Sequence, residues 1–360
     1  MRKLASIQRI SALVPIPNKD RIVQANVLGW SVIVRKDEYH PGELCVFVEP
    51  DAVLPEKPEF EFLRDKKFRI KTMKMGGVLS QGICFPLSIL PPYEDYQEGD
   101  DVTEALGIKQ YEPTMDTEPH EEMSDSKCAY PKFLMRYKWF RRIVLPKKKK
   151  GGFPDFIAKT DEIRIQNLPF LLSRKDITFV GREKIDGQSG TFFLRKEKGK
   201  FPWSKPKYEF GVCSRNLRLS TPDNSSYWQV AKKYEIEKVL RSLIGNSEWV
   251  AIQGECIAPN VQGNKYRVKE PDLYCFNLIC QSGKVDCQIA ESMLKPFGLK
   301  WAPLVYANYT IPDTVEEVLA DATGQSALYN TLREGVVFRN YEHNISFKAV
   351  SPDFLIKHDE

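Results

Sequence analysis

Apolar and polar positions along the chain fall into two regimes. Up to about residue 92 they form short β-prone runs at 5–10, 27–35, 44–49 and 78–85. Turn signals separate the runs: Pro15-Ile16-Pro17-Asn18, His40-Pro41-Gly42 and Met75-Gly76-Gly77. Five or so short strands with one helical insertion predict a small β-barrel, and the oligonucleotide-binding (OB) barrel is the commonest solution of that size. From residue 152 onward strands and helices alternate irregularly, which predicts an α+β domain. There, 161–167 reads as a short helix with acids in its first turn. Tyr227, Val230, Ala231, Tyr234, Val239, Leu240 and Leu243 give 226–244 a helical face. Segments 248–257 and 274–280 read as buried strands, a helix starts at Val315, and 335–339 is a further strand. No internal repeat is visible.

Charge separates the two regimes. Between Glu94 and Asp125 there are twelve acidic residues and one basic residue, Lys109; from Lys132 to Lys150 there are nine basic residues and no acidic one. This divides the chain into an OB domain (1–92), an acidic then basic linker (93–151) and the α+β domain (152–360), with the acidic part read as partly disordered. The Lys147–Lys150 tail has two readings, a nuclear address or a phosphate-facing, solvated run, and the second is preferred. Within the barrel, Phe62, Phe68, Arg64, Lys66, Lys67, Arg69 and Lys71 interleave aromatics with cations. That mixture suits either a nucleic-acid backbone with stacked bases or a solvated basic loop.

The whole chain, 360 residues with 42% hydrophobic and 28% charged residues, has the composition of a soluble globular protein of two domains. No apolar run approaches the ~20 residues that cross a membrane, and the N-terminus lacks the apolar core of a signal peptide. The eight cysteines form no Cys-x-x-Cys pair, so reduced thiols and an intracellular, cytoplasmic location are expected. A net charge of +5 decides nothing.

Candidate chemistry centres on Lys184-Ile185-Asp186-Gly187, placed between the β-prone runs 177–180 and 191–194. A lysine amine attacks phosphorus only when neutral, so a useful one sits where neighbours lower its pKa. Alone, Lys-x-Asp-Gly arises by chance in roughly one chain in ten of this length. Further patterns follow in order: Ser214-Arg215-Asn216, Gly254-Glu255, Phe276, Glu334-Gly335-Val336-Val337 and Lys348. Three carboxylates (Asp186, Glu255, Glu334) can hold hydrated Mg²⁺ or Mn²⁺, hard cations that take oxygen ligands. Lys184, Lys348 and Arg215 can neutralise phosphate, and Phe276 can stack on a base. Nucleophile, metal, phosphate clamp and base platform are the parts of a nucleotidyl transferase. Singly, each has a plain alternative: a surface salt bridge for Glu255, a core role for Phe276, a snorkelling chain for Lys348.

In this order the motifs resemble those of the covalent nucleotidyltransferase superfamily of ATP-dependent ligases and mRNA capping enzymes. The string from Gln253 to Asn264 is similar to the RNA ligase branch. Arg2-Lys3-Leu4-Ala5-Ser6-Ile7, Gly29-Trp30, Arg69-Ile70-Lys71-Thr72 and Leu79-Ser80-Gln81-Gly82 resemble the barrel that precedes the catalytic domain in RNA ligases of the Deinococcus and Naegleria type. The resemblance implies an adenylyltransferase domain of antiparallel sheets and helices. It also implies three steps: Lys184 takes AMP from ATP, AMP passes to an RNA 5′-phosphate, and an RNA 3′-hydroxyl displaces it. It assigns Asp186, Glu255 and Glu334 to the water shell of the metal and Phe276 to adenine. Arg215 and Lys348 go to phosphate or ribose oxygens and Glu183 to the adenine edge. The expected substrate is RNA with 3′-OH and 5′-phosphate ends, in a nicked duplex, sealed by a monomer. Two departures stand out. The last motif often has two lysines one residue apart, whereas here Lys357 lies nine residues beyond Lys348, and Asn277 replaces a frequent aspartate. The alternatives are a capping guanylyltransferase, whose barrel follows rather than precedes the catalytic domain, and a non-catalytic RNA-binding protein with a relict site.

Overall fold

The structure, a computed structural model, describes residues 3–92, 95–111, 151–197, 206–219 and 224–358. The acidic stretch beyond residue 111 and the basic segment 132–150 lie outside the described residues. The described chain divides into two compact units, one built from residues 3–111, 162–184 and 304–358, the other from 151–161 and 185–303. Among the described residues no helix is long and apolar enough to cross a membrane.

The first unit opens with the expected barrel. Strands β1 (Ala5–Pro15), β2 (Ile22–Val27), β3 (Trp30–Arg35), β4 (Leu44–Val48) and β8 (Ile83–Phe85) form one sheet in the order β3-β2-β1-β4-β8. Two short pairs accompany it: β5 (Ala52–Val53) with β9 (Lys109–Gln110), and β6 (Thr72–Met75) with β7 (Val78–Gln81). The Ile33 N–H donates to Ser80 Oγ at 3.0 Å, which ties the free edge of β3 to the β6–β7 hairpin. β1 serves two partners because its register slips between Ile10 and Ala12: residues 5–9 pair with β4, and the strand beyond pairs with β2. A bulge of this kind bends the strand around a barrel.

Three expectations change here. The run 27–35 is two strands, not one, because Leu28 takes a left-handed backbone (φ 53°) and turns the chain. Residues 95–111, expected as the start of a linker, belong to the barrel: Val102, Leu106 and Ile108 are buried with Leu4, Ile7, Val46 and Phe60 in one core. Their spacing was hidden by the acidic residues around them. In the basic-aromatic stretch, Phe60, Leu63, Phe68 and Ile70 are core, and only Phe62, 63% exposed, presents a ring to solvent.

Beyond the barrel the strands are β10 (Gly151–Gly152), β11 (Thr178–Lys184), β12 (Gln188–Glu197), β13 (Lys207–Cys213), β14 (Leu217–Leu219) and β15 (Trp249–Ile257). They continue with β16 (Asp272–Cys280), β17 (Gly283–Lys284), β18 (Lys300–Trp301), β19 (Leu304–Thr310), β20 (Gly335–Asn340) and β21 (Ile345–Val350). The first unit contains the four-stranded sheet β19-β11-β20-β21. Phe179, Tyr309, Phe338 and Phe347 fill its core against the helix Val315–Ala322, whose N-terminus carries a Thr314/Glu317 capping box. The second unit holds the larger sheet, β10-β14-β13-β12-β15-β16-β17, with β18 pairing parallel to β16 and every other pairing antiparallel. The expected helix 226–244 is two helices, Ser226–Lys233 and Ile236–Leu243, broken at Glu235 where φ is 45°. Of the expected helix 161–167 only the 3₁₀ turn Ile165–Asn167 forms. The architecture is α+β, an OB barrel followed by antiparallel sheets with few helices.

That turn at 165–167 joins barrel to sheet inside the first unit. The Trp30 indole N–H donates to Asn167 Oδ1 at 2.6 Å, and Asn167 Nδ2 donates to Glu49 Oε1 at 2.7 Å. Arg164 donates to Asp51 at 3.0 Å, while Gly29 N–H donates to the Gln166 carbonyl at 2.9 Å. A Cβ on Gly29 would lie 2.8 Å from Val315 and 2.9 Å from Gln166, so only glycine allows this approach.

Candidate active site

In the first unit, β11 runs antiparallel to β20 with Lys184 opposite Gly335, and β20 pairs with β21 so that Val337 faces Lys348. Strand pairing therefore brings three sequence motifs to one sheet end. The Lys184 ammonium donates to both Glu334 carboxylate oxygens at 2.6 Å. Gly335 is fixed by space: an added Cβ would meet the Ala349 carbonyl oxygen at 2.1 Å. Lys348 is buried on β21, with its backbone N–H donating to the Ile163 carbonyl at 2.8 Å. Lys357 is exposed on the helix Pro352–His358.

Glu183, next to the nucleophile, is held by a loop distant in sequence. Its carboxylate accepts from the Ser326 hydroxyl at 2.5 Å and the Ala327 N–H at 2.9 Å. Burial raises its pKa above the usual carboxylate value, partly offset by those two donors and by Arg333. Both oxygens thus hold the loop that leads to Glu334, so Glu183 supports the strand end.

In the second unit, Asp186 is 8% exposed. Its N–H donates to the Tyr266 hydroxyl at 2.8 Å, and its carboxylate accepts from the Lys265 ammonium. Neither partner was among the motif residues, yet the signal lay nearby. Val261-Gln262-Gly263-Asn264 reads as a tight turn, and Lys265 and Tyr266 follow it directly. Glu255 lies on β15 opposite Ser189 and Tyr274, half-buried. A Cβ on Gly187 would sit 2.6 Å from the Cys256 carbonyl and 2.9 Å from Glu255 Cγ, so the glycine after Asp186 is required by packing against β15.

Phe276 owes its position to a bulge. Gln253 pairs with Asn277 and Gly254 with Cys275, which leaves Phe276 as the extra residue of β16. Bulges re-aim a side chain without ending the strand. Asn277 donates to Gln253 Oε1 at 2.8 Å, and Gln253 donates to the Ala158 carbonyl at 3.0 Å, so the amide at 277 closes a buried polar chain. Arg215, in the loop after β13, donates to Asp161 at 3.3 Å with both side chains well exposed, a weak tie that leaves it free to turn to a ligand.

Each carboxylate thus has its own setting: Glu334 on a lysine in the first unit, Asp186 on a lysine in the second. Among the described residues no three His, Cys, Asp or Glu side chains stand together as a direct ligand cluster. The donors are nevertheless right for a hard cation, and a lysine ammonium already stands in for positive charge at both Asp186 and Glu334.

Comparison with known proteins agrees with these motifs. Residues 177–357 match the RNA ligase family and residues 4–87 an OB-fold domain family. Naegleria gruberi RNA ligase with PPi superposes with a TM-score of 0.81 at 30% identity, covering 100% of this chain and 99% of that one. A substituted form of the same Naegleria gruberi enzyme with ATP and Mn gives a TM-score of 0.81 at 30% identity, covering 99% and 98% of the two chains. Another, with AMP and Mn, gives 0.81 at 30% identity and covers 99% of each. A search of curated protein sequences found no match.

Proposed function

The chain belongs to the RNA ligase family, and from that premise we propose that it is an ATP-dependent enzyme joining RNA 3′-hydroxyl and 5′-phosphate ends through a lysyl-AMP on Lys184. The observation that carries this reading is the Lys184–Glu334 pair: an amine at the end of β11, held at 2.6 Å by the carboxylate of the residue that leads into β20. In the first step the neutral Lys184 amine forms a bond to the α-phosphorus as the bond to the bridging oxygen breaks and pyrophosphate leaves. The phosphoramide then yields AMP to the RNA 5′-phosphate, and the RNA 3′-oxygen displaces AMP to form the phosphodiester. ATP and Mn in the Naegleria gruberi structures support ATP and Mn²⁺ here; Mg²⁺ is the other hard cation that carboxylates take.

Asp186, Glu255 and Glu334 would orient the waters of that ion; when bound, it supplies charge neutralisation at the α-phosphate. Lys348 and Arg215 offset charge on phosphate or ribose oxygens, and Phe276 stacks on adenine. Glu183 supports the nucleophile strand through Ser326 and Ala327. Residues 3–111 contribute the RNA-holding barrel, and repair of nicked RNA duplexes is the activity that combination suits.

The test uses the full chain with α-labelled ATP or GTP and a divalent cation, followed by denaturing electrophoresis. Label is expected from ATP and is lost in Lys184→Ala. Label from GTP alone, or undiminished label in Lys184→Ala, overturns the reading. Sealing of nicked duplexes whose strands are separately RNA or DNA then defines the substrate.

A further inference from the structure

We propose that Lys265 competes with a divalent cation for Asp186, so that this lysine sets how tightly the nucleotide-free protein binds metal. The proposal rests on the reading of Asp186 as a residue that holds the metal's water shell. The Lys265 ammonium donates to Asp186 Oδ2, and both side chains are largely buried, 13% and 8% exposed. The adjacent Tyr266 hydroxyl accepts from the Asp186 backbone N–H at 2.8 Å. Two consecutive residues therefore grip one aspartate.

The grip is built rather than incidental. Gln262, Gly263 and Asn264 all take left-handed backbones (φ 47°, 64° and 49°), as does Arg267 (φ 51°). The turn is closed by Asn264 itself: its Oδ1 accepts from Val268 N–H at 2.8 Å, and its Nδ2 donates to the Val268 carbonyl at 3.0 Å. Asn264 N–H also donates to the Val261 carbonyl at 2.8 Å. Such a run of unusual conformations persists only where the surroundings enforce it, and here it delivers an ammonium to a nearly buried carboxylate.

A lysine ammonium and a hydrated divalent cation oppose one another at that carboxylate, because like charges that close repel in a poorly solvated site. In the metal-free protein Lys265 balances Asp186. When a metal takes that place, the ammonium swings off on its four-carbon stem. Lysine suits this exchange better than arginine, whose rigid fork would hold the carboxylate at two points.

The experiment measures Mn²⁺ binding to the nucleotide-free full chain by the loss of the free-ion electron paramagnetic resonance signal, with Lys265→Met, Lys265→Arg and Asp186→Asn alongside the native sequence. Melting curves in chelator confirm folding; should Lys265→Met not fold, Lys265→Gln replaces it. Lys265→Met is expected to bind Mn²⁺ about tenfold more tightly, equivalent to ~1.4 kcal/mol, and to gain more in melting temperature on Mn²⁺ addition. Lys265→Arg, which keeps the charge and holds the carboxylate at two points, shows no such gain and binds Mn²⁺ more weakly than the native sequence. Unchanged or weaker Mn²⁺ binding in Lys265→Met, with Asp186→Asn clearly weakened, overturns the competition while leaving the metal role of Asp186 intact. Unchanged binding in Asp186→Asn shows instead that the metal reading itself has failed, and the proposal falls with it.

Discussion

Asn167→Ala probes the joint between the barrel and the turn that precedes the nucleophile strand. The side chain accepts from the Trp30 indole at 2.6 Å and donates to the Glu49 carboxylate at 2.7 Å, and both of those residues are buried. The first bond is neutral and worth about 1 kcal/mol; the second involves a charge and is worth about 1.5–3 kcal/mol. Their joint loss predicts a destabilisation of about 2.5–4 kcal/mol, or roughly 3–5 °C in melting temperature for a chain of this size. Thermal unfolding followed by circular dichroism measures it. A drop below about 0.5 kcal/mol would show that the joint is held by packing, with the hydrogen bonds incidental. Asn167→Asp sharpens the test. It keeps an acceptor for Trp30 but sets a second carboxylate against Glu49, so one of the pair titrates above its ordinary value. The native state then binds the extra proton, and stability rises as pH falls from about 7.5 toward 5. A deficit independent of pH refutes the assigned geometry.

Three further substitutions follow from the site. Gly335→Ala must push aside the Ala349 carbonyl, which lies 2.1 Å from the added carbon; a loss of at least ~2 kcal/mol in thermal melts and loss of the AMP adduct are expected. Phe276→Ala removes the ring that the bulge presents, so the ATP concentration for half-maximal adduct formation should rise about tenfold or more, on the ~1–3 kcal/mol of base stacking, with the melting temperature little changed. Lys300→Met bears on Asp272, whose pKa burial alone would raise but which Lys300, Tyr234 and the Leu273 N–H bring below the usual carboxylate value. A depressed folded pKa gives stability that is present above the ordinary carboxylate range and lost as pH falls through the folded value. Lys300→Met should therefore flatten the fall in melting temperature between about pH 5 and pH 3.

The barrel, the α+β second part and the motif order could be read in the chain because each rests on local pattern: turn residues between β-prone runs, and polar groups at strand ends. What escaped reading depends on partners distant in sequence. Val102, Leu106 and Ile108 sit among acids that mark a linker, and only their packing with Leu4 and Val46 reveals a core. Helix 226–244 has continuous periodicity; its break at Glu235 follows from a backbone conformation that a periodic pattern does not encode. Glu183 is next to the nucleophile and invites a ligand role, but Ser326 and Ala327, some 140 residues on, take both its oxygens.

The same contrast explains why Lys184 could be singled out while Lys265 could not. Lys184 stands in a short motif whose neighbours, Asp186 and Gly187, are fixed by the strand turn and by contact with β15. Lys265 gains meaning only because the left-handed turn before it returns the chain to Asp186, 79 residues earlier. Both lysines meet a carboxylate, Lys184 on Glu334 and Lys265 on Asp186. Breaking a buried pair by removing one partner leaves an uncompensated charge, typically a loss of about 3–5 kcal/mol. Any cation that engages these carboxylates relieves that penalty at the moment it frees the amines. Metal-dependent adduct formation at Lys184 should accordingly depend on Glu334: Glu334→Gln, which releases Lys184 from its carboxylate, should weaken it rather than enhance it. Faster metal-dependent adduct formation in Glu334→Gln would show that Glu334 serves only to restrain the nucleophile.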